Sequence, residues 1–187
     1  MAARRSAERG LRGTSMRDAG VYRTRIDFRA APLALGDESE EVPLFSRIDH
    51  VGVVAYSIEE ANAILGDALG LVIDEPRSKW PEGSYFAPEQ TYNFFFNVGE
   101  GETQVEVLVP AKDATSGTAR FLEKRGPGLH HICYACTDVH VEAERLVAAG
   151  LSEIALPRTA DGRRTVAFFR PQGNAGILTE LVPLRSR

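Results

Sequence analysis

From Phe45 onward the hydrophobic positions switch between a strand-like and a helix-like period, and the same order of switches occurs twice. The first pass opens with a β-rich run, Ile48-Asp49-His50-Val51-Gly52-Val53-Val54-Ala55. Ser57-Ile58-Glu59-Glu60 then reads as a capping box, a serine followed three residues on by a glutamate. It starts a helix whose apolar face is Ile58, Ala61, Ile64, Leu65 and Leu69. Gly70 supplies the C-terminal stop. Leu71-Val72-Ile73 predicts a short strand, Pro76 to Pro88 a Pro/Gly-rich loop, and Tyr92–Val98 a strand turning at Gly99-Glu100-Gly101 into a last strand, Thr103–Val109.

The second pass repeats this order. Leu129–Cys136 is the opening strand, and Asp138 caps a helix running through Val141, Leu146, Val147 and Ala149 to Gly150. Glu153–Leu156, a polar loop with Asp161-Gly162, and the strands Thr165–Arg170 and Gly176–Val182 complete it. Between the passes, Thr118–Arg125 predicts a helix closed by Gly126-Pro127-Gly128. The expected fold is α+β: two tandem βαβββ modules, 45–110 and 128–184, joined by a connector at 111–127. Their open sheets would face one another as a half-closed mixed-sheet cup.

Residues 1–44 differ from the rest. Eight arginines lie between Arg4 and Arg29, followed by the acidic run Asp37-Glu38-Ser39-Glu40-Glu41, with no sustained apolar period. A largely flexible extension is expected, with a short edge strand around Val21–Phe28 as the alternative. An arginine-rich, serine-containing start also suits an organellar transit peptide, but Glu8, Asp18 and Asp27 count against it. A cytoplasmic location is expected, with an organellar matrix as the alternative.

Composition narrows the function classes. The 187 residues are 43% hydrophobic and 26% charged, with a formal net charge of −4. That balance supports a sizeable core and argues against a nucleic-acid-coating surface. No apolar run approaches the ~20 residues that span a bilayer. The two cysteines, in Cys133-Tyr134-Ala135-Cys136, lie three apart on a strand and so point to opposite faces. They read as buried small hydrophobes, not as a redox or zinc pair.

Four residues recur at matching points of the two modules: His50 and His131 at the opening strands, Glu106 and Glu180 in the closing ones. Taken singly, a histidine at a strand start is usually a hydrogen-bonded edge residue, and a strand glutamate usually faces water. Together they form a mixed nitrogen/oxygen set suited to a divalent metal. Strand parity puts Glu106 with Gln104 and Leu108, and Glu180 with Leu178 and Val182, on the face that would line the cup. Of the pair His130-His131, the second stands where His50 stands and is the expected inward ligand. His140 receives no role.

These segments resemble the vicinal oxygen chelate (glyoxalase/bleomycin resistance/dioxygenase) superfamily, and within it the methylmalonyl-CoA epimerases, over about Arg47 to Val182. The resemblance rests on Arg47-Ile48-Asp49-His50-Val51-Gly52, on Phe121–Ile132, on Phe168-Phe169-Arg170-Pro171 and on Gly176–Val182. It implies the half-closed cup, with His50, Glu106, His131 and Glu180 as ligands to a divalent ion (Co2+, Zn2+, Ni2+, Mn2+ or Mg2+). It also implies an acyl-CoA thioester partner, a homodimer, and epimerisation of a 2-substituted malonyl-CoA by proton abstraction through a chelated enolate.

Within that scheme Glu180 and Glu106 are the expected proton carriers, with Glu89 the next candidate. Three departures stand out: Glu106 where bacterial epimerases often have glutamine, Arg170 where histidine is usual, and Asn93 near a position many fill with glutamate. The segment Ser78–Tyr85 is also longer than the family pattern. Lys79, Arg120, Lys124 and Arg163 are the cations available for CoA phosphates. The alternatives are a glyoxalase I-like lyase and a metal-free binding protein of the resistance kind. A ring-cleaving dioxygenase, with its two-histidine, one-carboxylate iron site, fits less well.

Overall fold

Two strands at the middle of one sheet, β1 (Arg47–Val54) and β6 (Gly128–Cys136), pair antiparallel and join the two halves of the molecule. The structure is a computed structural model describing residues 45–185; the extension expected at 1–44 lies outside the described residues. The remaining strands are β2 (Val72–Ile73), β3 (Ser84–Phe86), β4 (Thr91–Asn97), β5 (Gln104–Pro110), β7 (Glu153–Ile154), β8 (Ala167–Phe169) and β9 (Leu178–Pro183). The sheet order is β2-β4-β5-β1-β6-β9-β8-β7, with β3 added to β4. The β1–β5 and β6–β9 pairs are parallel and the other pairs antiparallel. The order is therefore symmetric about the β1–β6 seam. This is the mixed α+β, vicinal oxygen chelate-type fold built from two βαβββ modules.

Each module buries one face of its strands under its own helix. In the first, Ala55, Phe94, Phe96 and Val107 pack with Ile58, Ala61 and Leu65 of the helical segment after β1. In the second, Cys136, Ala167, Phe169 and Leu181 pack with Val139 and Ala143 of α4 (Val139–Ala148). Burying a side chain the size of Phe96 or Phe169 contributes about 1.5–3 kcal/mol. Both helix caps follow the sequence: Ser57 accepts a hydrogen bond from the Glu60 amide, and Asp138 from those of His140 and Val141.

Three expectations need correction. Ile64 and Leu69 are exposed, because α1 (Ile58–Asn62) passes directly into a π-helical stretch, Ala63–Ala68. Its wider turns rotate those two residues off the buried face. Val141 and Val147 are likewise exposed; α4 packs Leu146 inward as expected, but with Val139 and Ala143 beside it. The Pro76–Pro88 segment is not a plain loop. It contains α2 (Glu75–Ser78), started by Asp74 and a proline in the first turn, and then β3. The connecting helix α3 spans Gly117–Arg125 and ends at Gly126. Among the described residues no helix is long and apolar enough to cross a membrane.

Candidate metal centre

The β1–β6 seam carries two β-bulges that shape the site. The register slips at Asp49, between the Ile48–Tyr134 and His50–Cys133 pairs. It slips again at His130, between the Gly52–His131 and Val53–Leu129 pairs. A bulge lets successive side chains escape strict alternation, and Asp49 and His50 are indeed both buried, at 1% and 2% exposure. His131 is buried as parity predicts, and His130 is half-buried beside it.

Beyond the bulges the registers interlock. His131 lies opposite Gly52 and His50 opposite Cys133. Gly52 in turn pairs with Glu106 on β5, and Cys133 with Glu180 on β9. The four expected residues thus come from four adjacent strands, β5-β1-β6-β9, with the carboxylates on the outer two.

The four side chains converge. His50 Nε2 and His131 Nε2 are 3.2 Å apart. Glu180 Oε2 lies 3.0 Å from the first and 2.9 Å from the second, and Glu106 Oε2 lies 3.2 and 3.3 Å away. All four residues are buried, and one ligand atom from each falls within 4.8 Å of the others. Two imidazole nitrogens and two carboxylate oxygens pointing at one another form a group fit to hold a divalent cation.

Charge gives the same reading. Burial alone would push both carboxyls up and both imidazoles down. Against burial, His50 and His131 hold Glu106 and Glu180 below the usual carboxylate range. Hydrogen bonds from the ring to the two carboxylates overcome burial and bring His131 up to about 9. His50 is likewise raised against burial, by the charge of Glu106 and by its bond to Asp49. Two buried negative charges here require two positive ones, supplied either by protons on both rings or by one divalent ion between neutral rings.

A second layer of residues, all but Asn93 assigned no role from sequence, orients the first. Asp49 Oδ1 accepts from His50 Nδ1 at 2.8 Å and from Arg77 Nη2 of α2 at 2.6 Å. Behind the other ring, His130 Nδ1 meets His131 Nδ1 at 3.0 Å. Phe95 stands edge-on to His50 at 5.7 Å and Phe168 to His131 at 5.8 Å. These phenylalanines pair with Glu106 and Glu180 respectively, again symmetrically. The bond from Asn93 Nδ2 to Glu106 Oε1, 2.8 Å, has no such counterpart. Asp49 could have been suspected from its place before His50; nothing in the spacing of Arg77 marks it.

The four side chains open onto a cavity of about 430 Å³ walled largely by apolar groups, among them Phe86, Leu108, Phe121, Ile154, Leu156 and Leu178. Its lining cations are Arg77 and Arg185. Lys79, Arg120, Lys124 and Arg163 are not among the lining residues; Arg163 pairs with Asp138 and Arg120 bonds to the Thr115 carbonyl. Glu89 reaches the wall, with Oε2 held at 3.0 Å by both the amide and hydroxyl of Thr118. His140 lies apart, in an ionic cluster with Arg164 and Glu144. Cys133 and Cys136 are both free and buried, in separate clusters.

Known proteins resemble this chain over the same region. The family model described as "Glyoxalase/Bleomycin resistance protein/Dioxygenase superfamily" matches residues 49–168. "Uncharacterized protein YqjC" of Bacillus subtilis is 31% identical over 140 residues, 73% of this chain and 91% of the relative. The ethylmalonyl-CoA/methylmalonyl-CoA epimerase of Cereibacter sphaeroides is 28% identical over 141 residues, 74% of this chain and 98% of the relative. The crystal structure of methylmalonyl-CoA epimerase from Mycobacterium tuberculosis superimposes with a TM-score of 0.63 at 23% identity, covering 79% of this chain and 95% of that one. At that identity the likeness concerns the fold.

Proposed function

Since the chain belongs to the Glyoxalase/Bleomycin resistance protein/Dioxygenase superfamily, we propose that it is a metal-dependent epimerase acting on a 2-substituted malonyl-CoA-type thioester. The observation that carries this reading is the convergence of His50, Glu106, His131 and Glu180 at the floor of an apolar cavity. Support for the substrate class comes from the epimerase relatives. A divalent cation held by the four side chains would supply Lewis acidity to two neighbouring substrate oxygens, the carboxylate and the thioester carbonyl.

The protein's own residues supply the rest. Epimerisation needs the proton on the carbon between those carbonyls to leave from one face and return to the other. Glu106 and Glu180 approach from β5 and β9, on opposite flanks of the histidine pair. Glu180 is the freer of the two. Its Oε2 faces both rings, and among the described residues no hydrogen-bond partner holds its Oε1. Glu106 is fixed by Asn93, so it moves a proton from a set position. The apolar walls limit water access, which strengthens every charge interaction at the floor and slows leakage of the abstracted proton. Of the arginines and lysines, Arg185 and Arg77 line the cavity wall, not the four expected side chains, and Arg77 is already engaged by Asp49 and Gln104.

Deuterium exchange at the α-carbon of methylmalonyl-CoA, followed by NMR with and without added cobalt, tests the proposal. Cobalt-dependent exchange with loss of stereochemical purity is the expected result. No exchange, together with turnover of a glutathione hemithioacetal, would replace the epimerase with a glyoxalase I-like lyase.

A further inference from the structure

We propose that Arg77 is a positioning residue for the metal centre, locking Asp49 and through it the His50 ring, so that the first module carries a preset ligand and the second an adjustable one. This rests on the metal-binding reading above. The two ligand histidines are equivalent by fold, each following a bulged residue on its strand. What stands behind them is not equivalent. The bulged residue in β1 is a carboxylate, Asp49; in β6 it is an imidazole, His130.

Arg77 fixes the carboxylate from a rigid seat. Its guanidinium lies 3.9 Å over the Phe95 ring, donates to Asp49 Oδ1 through Nη2, and donates to Gln104 Oε1 through Nη1. Gln104 is held in turn by Asp74 Oδ2 and Asn97 Oδ1, both at 2.8 Å. Asp74 also starts α2 by accepting the Arg77 amide at 3.1 Å. The chain of contacts therefore runs from the start of α2 to the metal-facing Nε2 of His50. A carboxylate anchored by a guanidinium accepts a hydrogen bond from Nδ1 of the ring, which leaves Nε2 as the lone-pair donor. Arg47 adds a weaker positive contact, 3.8 Å from Asp49 Oδ2.

The second module has no equivalent among the described residues. No helix stands between β7 and β8 to match α2. Of the three arginines in that connection, Arg164 turns to Glu153 at 2.7 and 2.9 Å, Arg158 pairs with the same carboxylate and Arg163 with Asp138, and none lines the cavity. Behind His131 stands an imidazole, His130, at 3.0 Å, where His50 has a carboxylate held by a guanidinium. Outer partners of this kind change metal affinity by about 10–100-fold.

The test is competition between the full-length protein and a chromophoric chelator for Co2+ and Zn2+, read with the visible spectrum of the cobalt form. Arg77→Met and Arg77→Gln should each weaken binding about 10–100-fold and alter the cobalt spectrum, with partial recovery in Arg77→Lys. The glutamine variant keeps hydrogen-bonding groups at the site should the methionine variant not fold. The double variant Arg77→Gln, Asp49→Asn should bind no more weakly than Asp49→Asn alone, because both act along one path. His130→Gln should cost less than Arg77→Gln. Wild-type affinity and spectrum in Arg77→Gln, additive losses in the double variant, or an equal loss in His130→Gln would each overturn the inference. Wild-type protein that binds neither ion would instead overturn the metal reading beneath it.

Discussion

Gly52 exists to make room for His131. The two residues face each other across the β1–β6 seam, and a Cβ built on Gly52 would lie 2.2 Å from Cε1 of that imidazole. No rearrangement short of moving the ring accommodates a side chain there. Gly52→Ala should therefore displace His131 and weaken cobalt or zinc binding by about tenfold or more, on the scale of a disturbed ligand shell. Chelator competition checks this. Binding equal to wild type would mean that the ring has slack its neighbours do not suggest.

His131 and Glu180 should separate metal retention from proton transfer. His131→Ala removes a ligand nitrogen and leaves two buried carboxylates facing one imidazole, so metal content and activity should fall together. Glu180→Gln keeps an oxygen in place but cannot accept a proton at that position. Its metal content should fall less than its activity, which should drop about 10²-fold or more. Metal analysis beside exchange kinetics reads both. Parallel losses in both variants would make Glu180 a structural ligand only.

Strand parity and module symmetry made the four converging side chains legible in the sequence, and they also chose His131 over His130. The shell around them was not legible, because it depends on where the chain breaks its own pattern. The bulge at Asp49 turns a residue inward that alternation would turn outward. The helix that delivers Arg77 is only four residues long and lies in a segment that Pro76, Pro81 and Gly83 mark as loop. The helix faces failed for a similar reason. A π-helical stretch at Ala63–Ala68 changes the phase that a 3.6-residue period assumes, and Ile64 and Leu69 end in solvent. Local periodicity reports the regular parts of a fold, and this site is built on irregular ones.

Proton linkage gives the metal-free protein a specific pH profile. His131 is raised from its ordinary 6.5 to about 9 by hydrogen bonds to Glu106 and Glu180 that outweigh burial. A raised value in the folded state means stability fully present below about pH 6.5 and lost as pH rises through about 9. Chelator-treated protein should therefore show a falling unfolding temperature across that window. Metal affinity should rise over the same window, since the proton on the ring must leave before a cation takes its place. Unfolding scans and chelator competition from pH 6 to 10 measure the two trends. A flat stability profile for metal-free protein would mean that the ring is neutral when the site is empty.

The last expectation turns on Asn93. Its Nδ2 donates to Glu106 Oε1 at 2.8 Å, which leaves Oε2 as the oxygen facing the two histidines. Asparagine can orient that carboxylate but cannot carry a proton itself. If the chain epimerises its substrate, the second face must be served by another group, and Glu106 lies across the histidine pair from Glu180. Glu106→Gln keeps a ligand oxygen and removes the base. The metal should remain, and epimerisation should drop by about 10²-fold or more. Asn93→Leu should lower activity less, since Glu106 loses its orientation but keeps its proton chemistry. Metal content and racemisation rates of the two variants decide the matter. Full activity in Glu106→Gln would move the second proton carrier elsewhere, and Glu89, on the cavity wall with Oε2 held by Thr118, would be the next residue to change.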